Sequence, residues 1–240
     1  MIKFLIASHG RSGSTLLAKA LDQHPSIRCF GEPFNAIEDH RQAGFSRTYR
    51  DGEDPVAFCR AEIYRKDVPD IACIGFKLHA NQMRGSDVEE SLWPYLQSDT
   101  AIRIIQLRRR NLFDSFVSQQ RAVRANAWRR EPGKPVPVGY ADTIEIDVKK
   151  CLRVMRNQER QVERAWALFQ GHQRLSLHYE ELAVAFDQAL ASVFAFLSVP
   201  DIHVDPPLAK MNTVNHRDGI SNYEEVRSAL EASEFADFLR

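Results

Sequence analysis

Near the start of the chain, His9-Gly10-Arg11-Ser12-Gly13-Ser14-Thr15 brings together two glycines, a guanidinium and three hydroxyls. Glycines let backbone fold closely round an anion, arginine adds a fixed positive charge and hydroxyls donate hydrogen bonds, so these types suit a phosphate. Two later groups can move a proton: Glu32, in Gly31-Glu32-Pro33-Phe34, and His79, in Lys77-Leu78-His79. A lone histidine at a strand end is commonly a hydrogen-bonded structural residue, and a glutamate beside Gly and Pro is commonly a solvated turn residue. Lys77 stands two positions before His79, on the same side of an extended chain, which favours a functional pair. Arg108-Arg109-Arg110 is a third feature. An arginine run on a helix is ordinarily a solvated face; at the tip of a buried strand an anion explains it more simply.

The elements that must position these residues follow from periodicity. The apolar run over residues 2–7 leads directly into the glycine loop, and Leu16, Leu17, Ala18, Ala20 and Leu21 then recur as on a helix. The first turn of such a helix presents unpaired N–H groups and a positive dipole end, so strand, loop and helix together make a phosphate cradle. Residues 27–30, 71–78, 101–107 and 174–179 predict further strands. Glu32, His79 and the arginines would then sit beyond strand carboxyl ends, on the rim that carries ligands in open α/β sheets. Helices are expected from residue 112 to about 128, from about 146 to 171, and after Tyr179, where Glu180 and Glu181 occupy the first turn. In the second of these, Val148, Leu152, Met155, Val162, Trp166 and Phe169 read as a core stripe. Strands alternating with helices predict an α/β fold, a central parallel sheet flanked by helices.

A chain of 240 residues without a low-complexity linker predicts one domain, 1–240. Lys plus Arg equals Asp plus Glu at 32 each, so no global charge recruits nucleic acid. No apolar stretch approaches the length of a membrane span and no signal-peptide pattern opens the chain, which predicts a cytoplasmic protein. Cys29, Cys59, Cys73 and Cys151 are scattered, as expected of reduced thiols and not of a zinc site or a disulfide framework. Residues 35–69 read as an insertion that covers the cleft or contacts substrate. Residues 131–142, rich in Pro and Gly, read as a surface loop suited to a substrate lid.

Together these motifs resemble the sulfotransferase family, most closely the bacterial enzymes acting on carbohydrate or lipid-linked sugar hydroxyls. The resemblance implies a P-loop NTPase-like sulfotransferase fold and transfer of a sulfuryl group from 3'-phosphoadenosine 5'-phosphosulfate (PAPS), leaving adenosine 3',5'-bisphosphate (PAP). HGRSGSTLL at residues 9–17 looks like the family's 5'-phosphosulfate loop, implying donor contacts from Gly10, Arg11, Ser12, Gly13, Ser14, Thr15 and Leu16, with Arg11 in place of a lysine. Arg110 and Ser118 have the family's spacing for the 3'-phosphate. Tyr179-Glu180-Glu181-Leu182 looks like the element whose tyrosine lies beside the adenine. Arg217-Asp218-Gly219 echoes the C-terminal Arg-Lys-Gly, so Arg217 and Gly219 join the expected donor site, with Asp218 where the family has lysine. The adenine-stacking tryptophan of the animal enzymes would fall at Leu16, so that contact must differ.

The family offers two precedents for the base, Glu32 and His79; Glu32 is favoured because the rest of the chain looks bacterial. Arg11 and Lys77 would stabilise charge on the bridging oxygen. No metal is expected, because Arg108-Arg109-Arg110 stands where a magnesium-dependent P-loop enzyme carries an aspartate. The acceptor implied is a carbohydrate, a glycolipid or a small hydroxylated molecule. A P-loop kinase is disfavoured by the missing Gly-Lys-Ser/Thr, and a dinucleotide oxidoreductase by the missing third glycine near Leu16. A non-catalytic nucleotide-binding protein is the rival from another class.

Overall fold

The computed structural model describes residues 1–35, 49, 52–65, 68–80, 88–211 and 214–239. Much of the expected cleft-covering insertion, residues 36–48, 50–51 and 66–67, lies outside them. Packing divides the chain into two units, Met1–Arg108 with Gln161–Asp205, and Arg109–Arg160 with Pro206–Arg240.

The first unit holds five parallel strands, β1 (Ile2–Ser8), β2 (Ile27–Phe30), β3 (Cys73–His79), β4 (Arg103–Arg108) and β5 (Arg174–His178), in the order β2-β3-β1-β4-β5. β1 is central because its residues are apolar on both faces, as a parallel sheet covered on both sides requires. Phe4 and Ile6 pack with Leu17 and Leu21 of α1 (Ser14–Leu21) and with Val193 and Phe194 of the later helix Phe186–Leu197. Leu5 and Ala7 join Phe76 and Ile104 on the other face, under Phe58 of α2 (Pro55–Phe58), Leu96 of α3 (Trp93–Ser98), Ala165 and Phe169. Within the insertion Asp54 caps α2, Pro55 opens it, and a π turn over Cys59–Ile63 continues it.

In the second unit α4 (Leu112–Ala125) starts at the Asn111 cap, whose side chain accepts from the Asp114 N–H, and stops at Asn126 in the left-handed conformation. Its Leu112, Phe113, Phe116 and Val117 form a core with Met155 of α5 (Val148–Leu168) and Ile220, and with Val226 and Leu230 of the helix Tyr223–Glu231. Arg121 is fully buried and donates to the carbonyls of Tyr140, Asp142 and Gly219, tying the 131–142 loop to the C-terminal segment.

After β5 the sequence predicts one helix, whereas the backbone leaves helical geometry at Ala185 (φ −128°) and separates α6 (Tyr179–Val184) from α7 (Phe186–Leu197). The segment His216–Gly219 forms a short α8 capped by Asn215, and α9 is Tyr223–Glu231. None of the described helices is long and apolar enough to cross a membrane.

Candidate active site

The loop between β1 and α1 is closed by its own side chains. The Ser12 hydroxyl donates to the His9 carbonyl at 2.8 Å, and the His9 ring Nδ1 lies 2.8 Å from the Gly10 carbonyl. Arg11 has φ +64° and Gly13 has φ +84°, so the chain makes two left-handed steps to reach α1. Gly13 is required twice over: a Cβ there would be strained, and would stand 2.6 Å from the ring of Tyr179. The N–H groups of Ser14, Thr15 and Leu16 fall in the first turn, where a helix offers them no carbonyl; Gly13 supplies no side-chain cap and no acidic residue occupies that turn. Such an end can receive an anion.

Beside it lies a knot of polar side chains. The sheet register sets Ile6 against Lys77 and Ser8 against His79, and Lys77 donates backbone N–H to the Gly31 carbonyl at 3.1 Å, which brings the turn after β2 alongside β3. Lys77 and His79 share the face of β3 that looks toward α1. The Lys77 Nζ donates to Thr15 Oγ1 at 2.7 Å and lies 2.6 Å from Glu32 Oε1. His79 Nε2 stands 3.3 Å from Ser14 Oγ and 3.5 Å from the same Glu32 oxygen. Asn35 Nδ2 donates to Glu32 Oε2 at 2.8 Å. Lys77 and Glu32 are both buried.

Burial pushes the Glu32 carboxyl up, but the fields of His79 and Lys77, with hydrogen bonds from Lys77 and Asn35, outweigh it and hold it below the ordinary carboxylate value. Burial also governs His79, which is driven down to about 4; Lys77 and Arg11 push the same way and Glu32 opposes them. His79 is therefore neutral near pH 7, and the cation that keeps Glu32 ionised there is Lys77, in direct contact. A buried carboxylate with a fixed cation and an uncharged imidazole at its side can accept a proton without first shedding a water shell.

The structure thus brings Glu32, Lys77 and His79 to the loop residues Ser14 and Thr15, and Tyr179 onto Gly13. The other expected donor contacts lie in the second unit. Arg109 is tied to Asp114 at 3.0 Å, which also binds the ring of His216, while Arg110 is exposed. In the first unit, Arg108 lies over the Trp166 ring, 5.8 Å from its centre. Ser118 is buried, its Oγ 3.1 Å from the Tyr140 hydroxyl. Arg217 is exposed and paired with Glu224 at 3.5 Å; Gly219 is buried against Arg121, whose guanidinium leaves no room for a Cβ. Arg108 thus makes an aromatic contact and Arg109 an ion pair, while Arg110 is exposed. Sequence reasoning missed Asn35, which reaches Glu32 because it lies three residues on across a turn, and its N–H bonds the Glu32 carbonyl as well. It also missed Tyr140, which meets Ser118 across 22 positions, and Asp114, which meets His216 across 102.

Residues 4–102 match the sulfotransferase family. No curated protein matches the sequence. Among solved structures the chain is similar to a sulfotransferase from Alicyclobacillus acidocaldarius, with 18% identity and a TM-score of 0.54 over 100% of this chain and 99% of that one. A sulfotransferase domain from the curacin biosynthetic pathway aligns with 17% identity and a TM-score of 0.45, over 83% of this chain and 75% of its own. A mouse sulfotransferase complexed with PAP gives 17% and 0.45, over 98% and 66%. The family match covers less than half of the chain, and the parallel sheet flanked by helices is the P-loop-like sulfotransferase fold.

Proposed function

We propose that the 240 residues act as one catalytic domain that moves a sulfuryl group from PAPS to a hydroxyl of a carbohydrate, glycolipid or small-molecule acceptor. The observation that carries this reading is the buried Glu32 held 2.6 Å from Lys77 beside the first turn of α1. A proton acceptor, a fixed cation and an anion cradle in one place are the parts that sulfuryl transfer needs, since like phosphoryl transfer it depends on positioning and charge stabilisation.

The loop fits a phosphosulfate, with left-handed Gly13, no acid in the first turn and Arg11 adjoining it. PAPS, when bound, supplies an activated sulfuryl group and leaves as PAP. In this reading Arg11 and the N–H groups of residues 14–16 hold the 5'-phosphosulfate, and Lys77 stabilises charge on the bridging oxygen. Arg110 and Ser118 take the 3'-phosphate and Tyr179 lies beside the adenine. Arg217 and Gly219 complete the donor site, Arg217 exchanging Glu224 for phosphate. Glu32 takes the acceptor proton as the hydroxyl attacks, a role worth roughly 10²- to 10⁴-fold in rate. No residue is assigned to a metal. His79 is the competing base, its neutral Nε2 facing the same space.

Calorimetry on the purified protein tests this reading, comparing PAP with ATP plus magnesium and with NAD. Selective binding of PAP is expected, followed by transfer of labelled sulfate from PAPS to a panel of sugar, glycolipid and phenolic hydroxyls. Binding of ATP or NAD in preference to PAP overturns it.

A further inference from the structure

The end of the sheet remote from the loop carries a second feature of ligand size, a cleft of about 500 Å³ bordered by Lys3, Arg60, Tyr64, Arg65, Tyr95 and Asp99. It is separated from the candidate active site along the strand and across the sheet. Lys3 stands five residues before Ser8, so roughly 17 Å of extended chain lies between them. Lys3 shares the β1 face of Leu5 and Ala7, whereas Lys77 and His79 look toward α1 on the opposite face.

Its charge is unbalanced. Asp99 is committed to Lys3 by an ion pair of 2.8 Å. The Arg60 guanidinium lies over the Tyr95 ring, 4.8 Å from its centre, and has no carboxylate partner among the described residues. The Nε of Arg65 is buried with no hydrogen-bond partner among the described residues. Three cations and one acid therefore line the cleft, leaving a net charge of +2 by the count 3 − 1. A buried guanidinium N–H without an acceptor is costly, and the planar fork of arginine matches the paired oxygens of a phosphate or sulfate group. A cleft of this volume takes a small organic molecule in place of a bare ion, and the rings of Tyr64 and Tyr95 supply apolar wall beside the cations.

We propose that this cleft binds a small phosphate or sulfate monoester, its oxyanion held by Arg60 and Arg65 and its organic part against the tyrosines. The site does not depend on the reading of the loop as a donor site.

The test is calorimetric titration of the full chain with phenyl phosphate and with inorganic phosphate, on the wild type and on the Arg60→Ala, Arg65→Gln and Arg11→Ala variants. Arg60 is exposed, so its replacement leaves folding intact even if Arg65→Gln does not. The expected result is a phenyl phosphate event that survives Arg11→Ala and weakens at least tenfold in Arg60→Ala, with inorganic phosphate at least tenfold weaker at the same site. Binding lost only in Arg11→Ala, binding unchanged in Arg60→Ala, or inorganic phosphate bound as tightly as the ester overturns the proposal.

Discussion

The knot around Glu32 and the segment from Arg109 to Ser118 are both polar regions that the motifs single out, and they are built in opposite ways. In the first, Glu32, Lys77, His79, Ser14 and Thr15 are held against one another, with the central pair buried. In the second, Ser118 is buried against Tyr140 and Arg109 is paired with Asp114, while Arg110 is exposed. A group that must transfer a proton has to be held at short range in a fixed protonation state before substrate arrives, and burial beside a lysine does that. An arginine proposed to recognise a phosphate by charge can lie on the exposed surface, because a guanidinium keeps its charge without burial.

The comparison breaks most readily at the base. Glu32→Gln is expected to lower sulfuryl transfer by roughly 10²- to 10⁴-fold while PAP affinity changes little, with His79→Ala costing less. Rates and calorimetry on the two variants decide it, and the reverse ranking hands the role to His79. This knot also has a signature in stability. A histidine held near 4 when folded, against 6.5 unfolded, contributes on the order of 3 kcal/mol. Because the folded value is depressed, that stability is complete above pH 6.5 and is lost as pH falls toward 4. Glu32, also depressed, adds its own loss only below 4.5. Urea unfolding between pH 7 and 4.5 should show a steeper fall for the wild type than for His79→Asn; equal slopes would mean that His79 is not buried neutral.

The smallest effect belongs to Arg110, the exposed arginine of the run. Arg110→Ala should weaken PAP by roughly tenfold or more, as for a charge-assisted hydrogen bond, and leave adenosine 5'-phosphate nearly untouched. Equal losses for the two nucleotides would sink the assignment of Arg110 to the 3'-phosphate.

Much of this was legible before any coordinates. The apolar run into Gly10-Arg11-Ser12-Gly13 announces a strand, a loop and a helix, because glycine steps and a 3.6-residue repeat are local properties. The pairing of Lys77 with His79 is local too, since alternation puts residues i and i+2 on one face. The break at Ala185 was not legible, because Leu182, Phe186, Leu190 and Phe194 continue one helical stripe across it and the kink lies in the backbone alone.

What the sequence determined by itself was therefore the parallel α/β class, the strand-loop-helix at the start of the chain and the candidate chemical groups, all written in short-range pattern and residue type. Only the tertiary structure decided that Glu32 Oε1 meets Lys77 and His79, that Tyr179 closes over Gly13, and that Lys3, Arg60 and Arg65 share a cleft at the far end of the sheet. Those contacts join residues up to 166 positions apart, between Gly13 and Tyr179. Strand order and register create them, and neither is encoded in the spacing of residues along one segment.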